Sequence, residues 1–200
     1  MLKNTKKTIG LILKNFSFLL ILFALFLNND LKAQENEKKF IGFIDALEGS
    51  VSKGNADNLV ELKEFDQIFE NEKIIISPNS SVVISFIDNS VLTLENDSEF
   101  LVEKFDKISE EPSFIMNISK GKFVFESGTI AKDDKGVMKI KLSDAEVDLQ
   151  GTCITGAVTD DSTSVALVAD SMGNVGTFDI TIDGQTTSAV SYTHLRAHET

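Results

Sequence analysis

Between residues 40 and 190 apolar and polar positions alternate along the chain, which is the period of two expected of strands with one buried face. Met138, Ile140 and Leu142 alternate with Val137, Lys139 and Lys141; Val147 and Leu149 with Glu146, Asp148 and Gln150; Phe178, Ile180 and Ile182 with Thr177, Asp179, Thr181 and Asp183. Further strands are predicted over residues 73–77, 81–87, 91–95, 99–105, 113–118 and 122–126. Turn signals separate them: Pro78-Asn79-Ser80, Asp88-Asn89-Ser90, Lys120-Gly121-Lys122, Asp133-Asp134-Lys135-Gly136 and Asp183-Gly184. Residues 58–65 (NLVELKEF) read equally as a helical turn or a strand. Pro78 and Pro112 are the only prolines, and both sit where strands should begin or end. Many short strands with frequent turns predict an all-β sandwich, barrel or rolled solenoid, and no internal repeat supports a regular array.

The pattern changes before residue 34. Lys3, Lys6, Lys7 and Lys14 precede an apolar run of 12 residues, FSFLLILFALFL (16–27). That is short for a membrane span, which needs about 20 apolar residues. The basic flank, the run and the small Ala33 match a secretory signal peptide over residues 1–33, helical in its apolar part, with an uncleaved anchor as the alternative. The expectation is an exported protein, periplasmic or at the cell surface, that meets the membrane only through this segment.

The other terminus departs in composition. Tyr192, His194, Arg196 and His198 are the only tyrosine, histidines and arginine in the chain. Such isolation marks residues 190–200 as a foreign addition, to be set aside in fold reasoning, and the domain as 37–189 with its own continuation truncated. Without that tail, the exported part has no His, Arg, Tyr or Trp. Imidazole bases, imidazole metal ligands and Ser-His-Asp or Cys-His arrangements are then absent.

Charge narrows the partners. Removing residues 1–33 takes away five lysines and one acid, leaving 14 bases against 30 acids and a net charge of −16. Such a surface repels nucleic-acid phosphates, so no nucleic-acid partner is expected. Cys153 is the single cysteine, which rules out an intramolecular disulfide. It reads as a small buried hydrophobe or, in an oxidising compartment, as the donor of an intermolecular bridge. Asp88, Asp160 and Asp161 lie in turn-like stretches and read as solvated turn acids; Glu95 and Glu103 read as outward strand positions. No Ca²⁺-binding loop motif is present, and neither metal nor cofactor is expected.

The order of motifs resembles that of a FecR-like domain. IGFIDALEGSVSKG (41–54), with Gly42 and Gly49, resembles its opening. Residues 61–105, including the Asp88-Asn89-Ser90 hairpin, resemble its central block, and SFIMNISKGKFVFESGTIAK (113–132), with Gly121, the strand–Gly–strand segment that follows. MKIKLSDAEVDLQGTCITGAV (138–158), with Gly151 and Thr152, resembles the closing strand pair. There are two departures. Asn89 stands where glycine is usual, and it also tolerates positive φ. Gln150 replaces the usual arginine before Gly151-Thr152, so any buried pairing of that arginine with a carboxylate is missing; Gly151 itself reads as a backbone position needing room or positive φ.

The resemblance implies an exported all-β domain of a type known in regulators that pass a periplasmic signal to a cytoplasmic sigma factor. Only about 15 residues precede the apolar run, too few for a folded cytoplasmic segment. The expectation is therefore a non-enzymatic module acting in ligand or partner binding, or in envelope or surface assembly, with a protein or envelope partner. The alternatives are a periplasmic sensor signalling to a membrane or sigma-factor regulator, and a carbohydrate-active β-protein using paired carboxylates.

Overall fold

The computed structural model describes residues 38–55, 58–170 and 172–190 and the backbone of residues 194–198, all within the compact unit Lys38–Thr200. The signal-peptide segment and Tyr192 lie outside the described residues. Among the described residues the chain is all-β apart from one 3-10 turn, Ile130–Lys132. The strands are β1 (Phe40–Glu48), β2 (Val51–Asn55), β3 (Asn58–Glu61), β4 (Gln67–Phe69), β5 (Lys73–Ile76), β6 (Ser81–Phe86), β7 (Val91–Asp106) and β8 (Ser113–Glu126). They continue with β9 (Val137–Lys141), β10 (Ala145–Gln150), β11 (Cys153–Val158), β12 (Ser162–Val168), β13 (Thr177–Ile182), β14 (Gln185–Val190) and β15 (His194–His198).

Two predicted strand pairs are each a single long strand. Residues 91–95 and 99–105 both belong to β7, and 113–118 and 122–126 both belong to β8, so Lys120-Gly121-Lys122 is a kink inside a strand and not a turn. The reason lies in the partners. Val91–Glu95 of β7 pair with β6, whereas Ser98–Leu101 pair with β5. Likewise Ser113–Asn117 of β8 pair with β9, in parallel, and Gly121–Glu126 pair with β11. At the changeover Asn96 and Asp97 have positive φ, the β7–β8 register shifts, and Gly121 has φ 107°. A Cβ on Gly121 would collide with the Ser98 side chain, so only glycine fits this corner.

The bent β7–β8 hairpin therefore runs through two layers. One carries β4, β1, β6, the first half of β7, the second half of β8, β11, β12 and β15; the other carries β3, β2, β5, the remaining halves of β7 and β8, then β9, β10, β13 and β14. Alternation places Val82, Ile84, Leu92, Leu94, Phe123 and Phe125 from the first layer and Ile74, Phe100, Phe114, Met116, Ile140 and Val147 from the second in one buried cluster. Phe86 of β6 bridges the layers: its ring centroid lies 4.8 Å from that of Phe114, 6.3 Å from Phe105 and 6.4 Å from Phe100. Each such ring contributes about 1.5–3 kcal/mol through burial, and each pair about 0.5–1.5 kcal/mol more through ring geometry. The ambiguous 58–65 segment resolves into β3, a strand whose four residues are all exposed, followed by a loop.

Candidate functional site

The residues singled out in the sequence sit at points where backbones meet. In the β6–β7 hairpin Asn89 takes φ 67°, the left-handed conformation the turn needs. Asp88 is no solvated turn acid: it is fully buried, as is Ser90. The Asp88 carboxylate accepts the Ser90 N–H at 3.0 Å and the Ser90 hydroxyl at 2.8 Å. Ser90 Oγ in turn accepts the Gly128 N–H at 2.8 Å, and the Asp88 carbonyl accepts the Thr129 N–H at 2.8 Å and its hydroxyl at 3.1 Å. Gly128 is obligatory here, because a Cβ would strike the Asp88 carbonyl and the Ser90 amide.

The same loop is held from the other side. Thr152 N–H donates to Ser127 Oγ at 2.7 Å, and Ser127 N–H donates to the Thr152 carbonyl at 3.0 Å. Gly151 has φ 67°, and Gly176 passes so close to Gly151 and Thr152 that a Cβ would overlap both. Residues 127–129 are thus pinned between the β6–β7 turn and the β10–β11 turn. Gly42 lets β1 lie against Phe86, and Gly49, at φ 79°, lets Ser80 close the β1–β2 turn by accepting the Ser50 N–H at 2.9 Å. The motif residues lie where backbones meet or bend, and Gly121 also borders a concavity beside Asp97 and Asp160.

The remaining candidates are scattered. Asp160 and Asp161 are exposed, Glu95 is exposed, and Glu103 is half-buried in an ion pair with Lys141 at 2.6 Å. Among the described residues no three His, Cys, Asp or Glu side chains converge as a metal site requires. Cys153 is buried, and burial, reinforced by the nearby charges of Glu126 and Asp170, pushes its thiol up to about 11. Such a thiol stays protonated at neutral pH.

Concavities among the described residues include one of about 320 Å³ at the β7–β8 corner, lined by Asp97, Gly121, Val158 and Asp160. A shallow groove of about 240 Å³ crosses the outer side of the first layer between Thr93, Val124, Thr155 and Ala166. A wider one, about 560 Å³, is lined by Val60, Leu62, Phe65 and Phe69 with Glu61 and Asp66. The motif search missed Ser127, Gly128 and Thr129 at the pinned loop, although the string ESGT after a strand is a turn-like signal. It also missed Phe65.

These features define a two-layer all-β module whose shared motif residues fasten backbone. The chain belongs to the FecR protein family, whose model matches residues 72–172. Two crystal structures of a protein from Parabacteroides distasonis ATCC 8503, described as a candidate anti-sigma factor, are also similar, each with 11% identity and a TM-score of 0.48. The similarity covers 64% of this chain and 59% of that protein, so the chain spans about three fifths of the length of the structures it matches. No curated protein matches it in sequence.

Proposed function

We propose that this chain is an exported, non-enzymatic FecR module that takes part in signal transduction to a sigma-factor regulator, acting through contact with a separate membrane protein. The observation that carries this reading is the family match over residues 72–172, which lies entirely within the described β unit. It favours the sensor reading over envelope or surface assembly. The chemistry agrees with a binding role: the Asp88 and Ser90 side chains are committed to hydrogen bonds within the fold, and the one thiol is buried and protonated. On this reading residues 1–33 direct export, residues 37–189 form the module, and residues 190–200 are foreign to it even though the backbone of 194–198 pairs with β12 as β15.

Deletion of the gene, followed by transcript measurement, tests the proposal. The expected result is a shift in a discrete set of transcripts that share one promoter type. An unchanged transcript profile, or a module recovered only from the cytoplasm, contradicts it.

A further inference from the structure

Among the described residues seven non-glycine residues have positive φ, and six are Asn or Asp, whose short polar side chains tolerate that region. The seventh is Phe65, at φ 70°. A bulky aromatic there is strained, and the strain persists because the loop is fastened on both sides. Phe65 N–H donates to the Ile44 carbonyl at 2.8 Å, and Ile44 N–H donates to the Asp66 carbonyl at 3.0 Å. Leu62 N–H donates to the Val51 carbonyl at 2.8 Å, and the Asp66 carboxylate accepts the Lys63 N–H at 2.8 Å. This clamp does not bury the ring. Phe65 is 73% exposed, at a position where glycine would be free of strain.

Its neighbours point the same way. Leu59 and Val60 on β3 are 49% and 55% exposed, and the concavity of about 560 Å³ runs from Val60 to Phe65 and Phe69. β3 ends the second layer, and among the described residues it pairs only with β2, so its outer edge is open to an added strand. Glu61, Glu64 and the half-buried Asp66 outnumber the exposed Lys63 around the apolar residues, while Lys53, which also lines the concavity, is drawn into an ion pair with Glu72 at 3.1 Å.

We propose that Phe65 and Val60, beside the open edge of β3, form the docking surface for a protein partner that presents an extended segment with an apolar side chain flanked by Lys or Arg. The proposal rests on the reading of this chain as a module that relays through protein contact. Charge selects among occupants. With a net charge of −16 in the exported part, a second copy and an anionic lipid surface are both repelled, whereas a basic segment is attracted. A rigid aromatic held out from a fixed backbone loses little conformational freedom on binding, which suits an anchor.

Peptides selected from a random library on the purified protein provide the test. The expected binders carry an apolar residue between Lys or Arg residues, weaken with added salt, and lose at least about tenfold in affinity for Phe65→Ser. Phe65→Gly guards against a folding artefact: it should lose binding equally while its urea midpoint moves up. Failure to select such peptides, or binders indifferent to both variants, overturns the proposal. Sedimentation with phosphatidylglycerol vesicles, or a dimer that Phe65→Gly dissolves, also overturns it by assigning the surface to lipid or to a second copy. The relay reading falls separately, if gene deletion leaves transcription unchanged whatever the peptides do.

Discussion

At the scale of single residues, the polar groups that matter most are the ones hidden from water. Ser90 is the clearest case, since its hydroxyl both donates to Asp88 and accepts from Gly128. Ser90→Ala would leave the buried Gly128 N–H without that acceptor and remove one donor from a buried carboxylate. An unsatisfied buried group costs about 1–3 kcal/mol, so urea denaturation should show a loss of that size. An unchanged midpoint would mean that water replaces the hydroxyl. Cys153 makes a second residue-scale prediction. Its folded thiol titrates at about 11, against roughly 8.5 for a free cysteine. The folded state therefore holds its proton longer than the unfolded state, a contribution that is complete below the unfolded value and lost as pH rises towards the folded one. Thiol-reactive dye at pH 8 should label the native protein far more slowly than the urea-unfolded chain. Equal rates would contradict the burial.

At the scale of elements, the corner of the β7–β8 hairpin shows how far a sequence can be read. Alternation identified the segments that became β5 to β10 and β13, because half-buried strands impose it, whereas β1, β2, β4, β11, β12 and β14 were given no range of their own. It could not show that two pairs of segments are continuous. Nothing local distinguishes a Lys-Gly-Lys turn from a kink; the difference is that each half of β7 and β8 finds another partner strand. Gly121→Ala forces a Cβ onto Ser98 at φ 107°, so it should destabilise by about 2 kcal/mol or more. Trimming Ser98 to glycine in the same chain should restore only part of that loss, since the backbone strain remains. Full recovery in thermal melts would assign the whole effect to the collision.

Glu72, in the β4–β5 turn, links elements in a different way. It accepts Lys38 at 2.7 Å, just before β1, and Lys53 of β2 at 3.1 Å, joining the two layers. Burial would raise its pKa, but the hydrogen bonds and charges of the two lysines outweigh burial and lower it from the ordinary 4.5. The stabilisation is thus fully present above that value and lost as pH falls through the lower folded one. Wild type should lose stability between pH 5 and the acid limit more steeply than Glu72→Gln, a difference that urea melts at stepped pH (about one unit apart) would reveal. Parallel curves would contradict the linkage.

At the scale of the whole molecule, the architecture was legible and the exposed Phe65 loop was not. Period-two patterning and the colinear motifs pointed to a rolled all-β FecR domain, and the described residues are all-β apart from one 3-10 turn, within that family. Asp88 was misjudged as a solvated acid because a turn acid and a buried clasp have the same local sequence; only the approach of residues 127–129, distant in the chain, separates them. Phe65 gave no signal because its φ is set by hydrogen bonds to Ile44, far along the chain from the β3–β4 loop. The Phe65 loop beside β3 is one of the places, with Ile108 and Met172, where a large apolar side chain is left in solvent.

The most direct test of the account is a transcriptional reporter for the affected promoters, read in a deletion strain complemented with wild type, Ser90→Ala or Phe65→Gly. Wild type should restore regulation, and Ser90→Ala should restore it in proportion to the folded protein that remains. Phe65→Gly, though exported and at least as stable, should fail to restore it. A reporter unmoved by the deletion itself would contradict the claim that this FecR module signals.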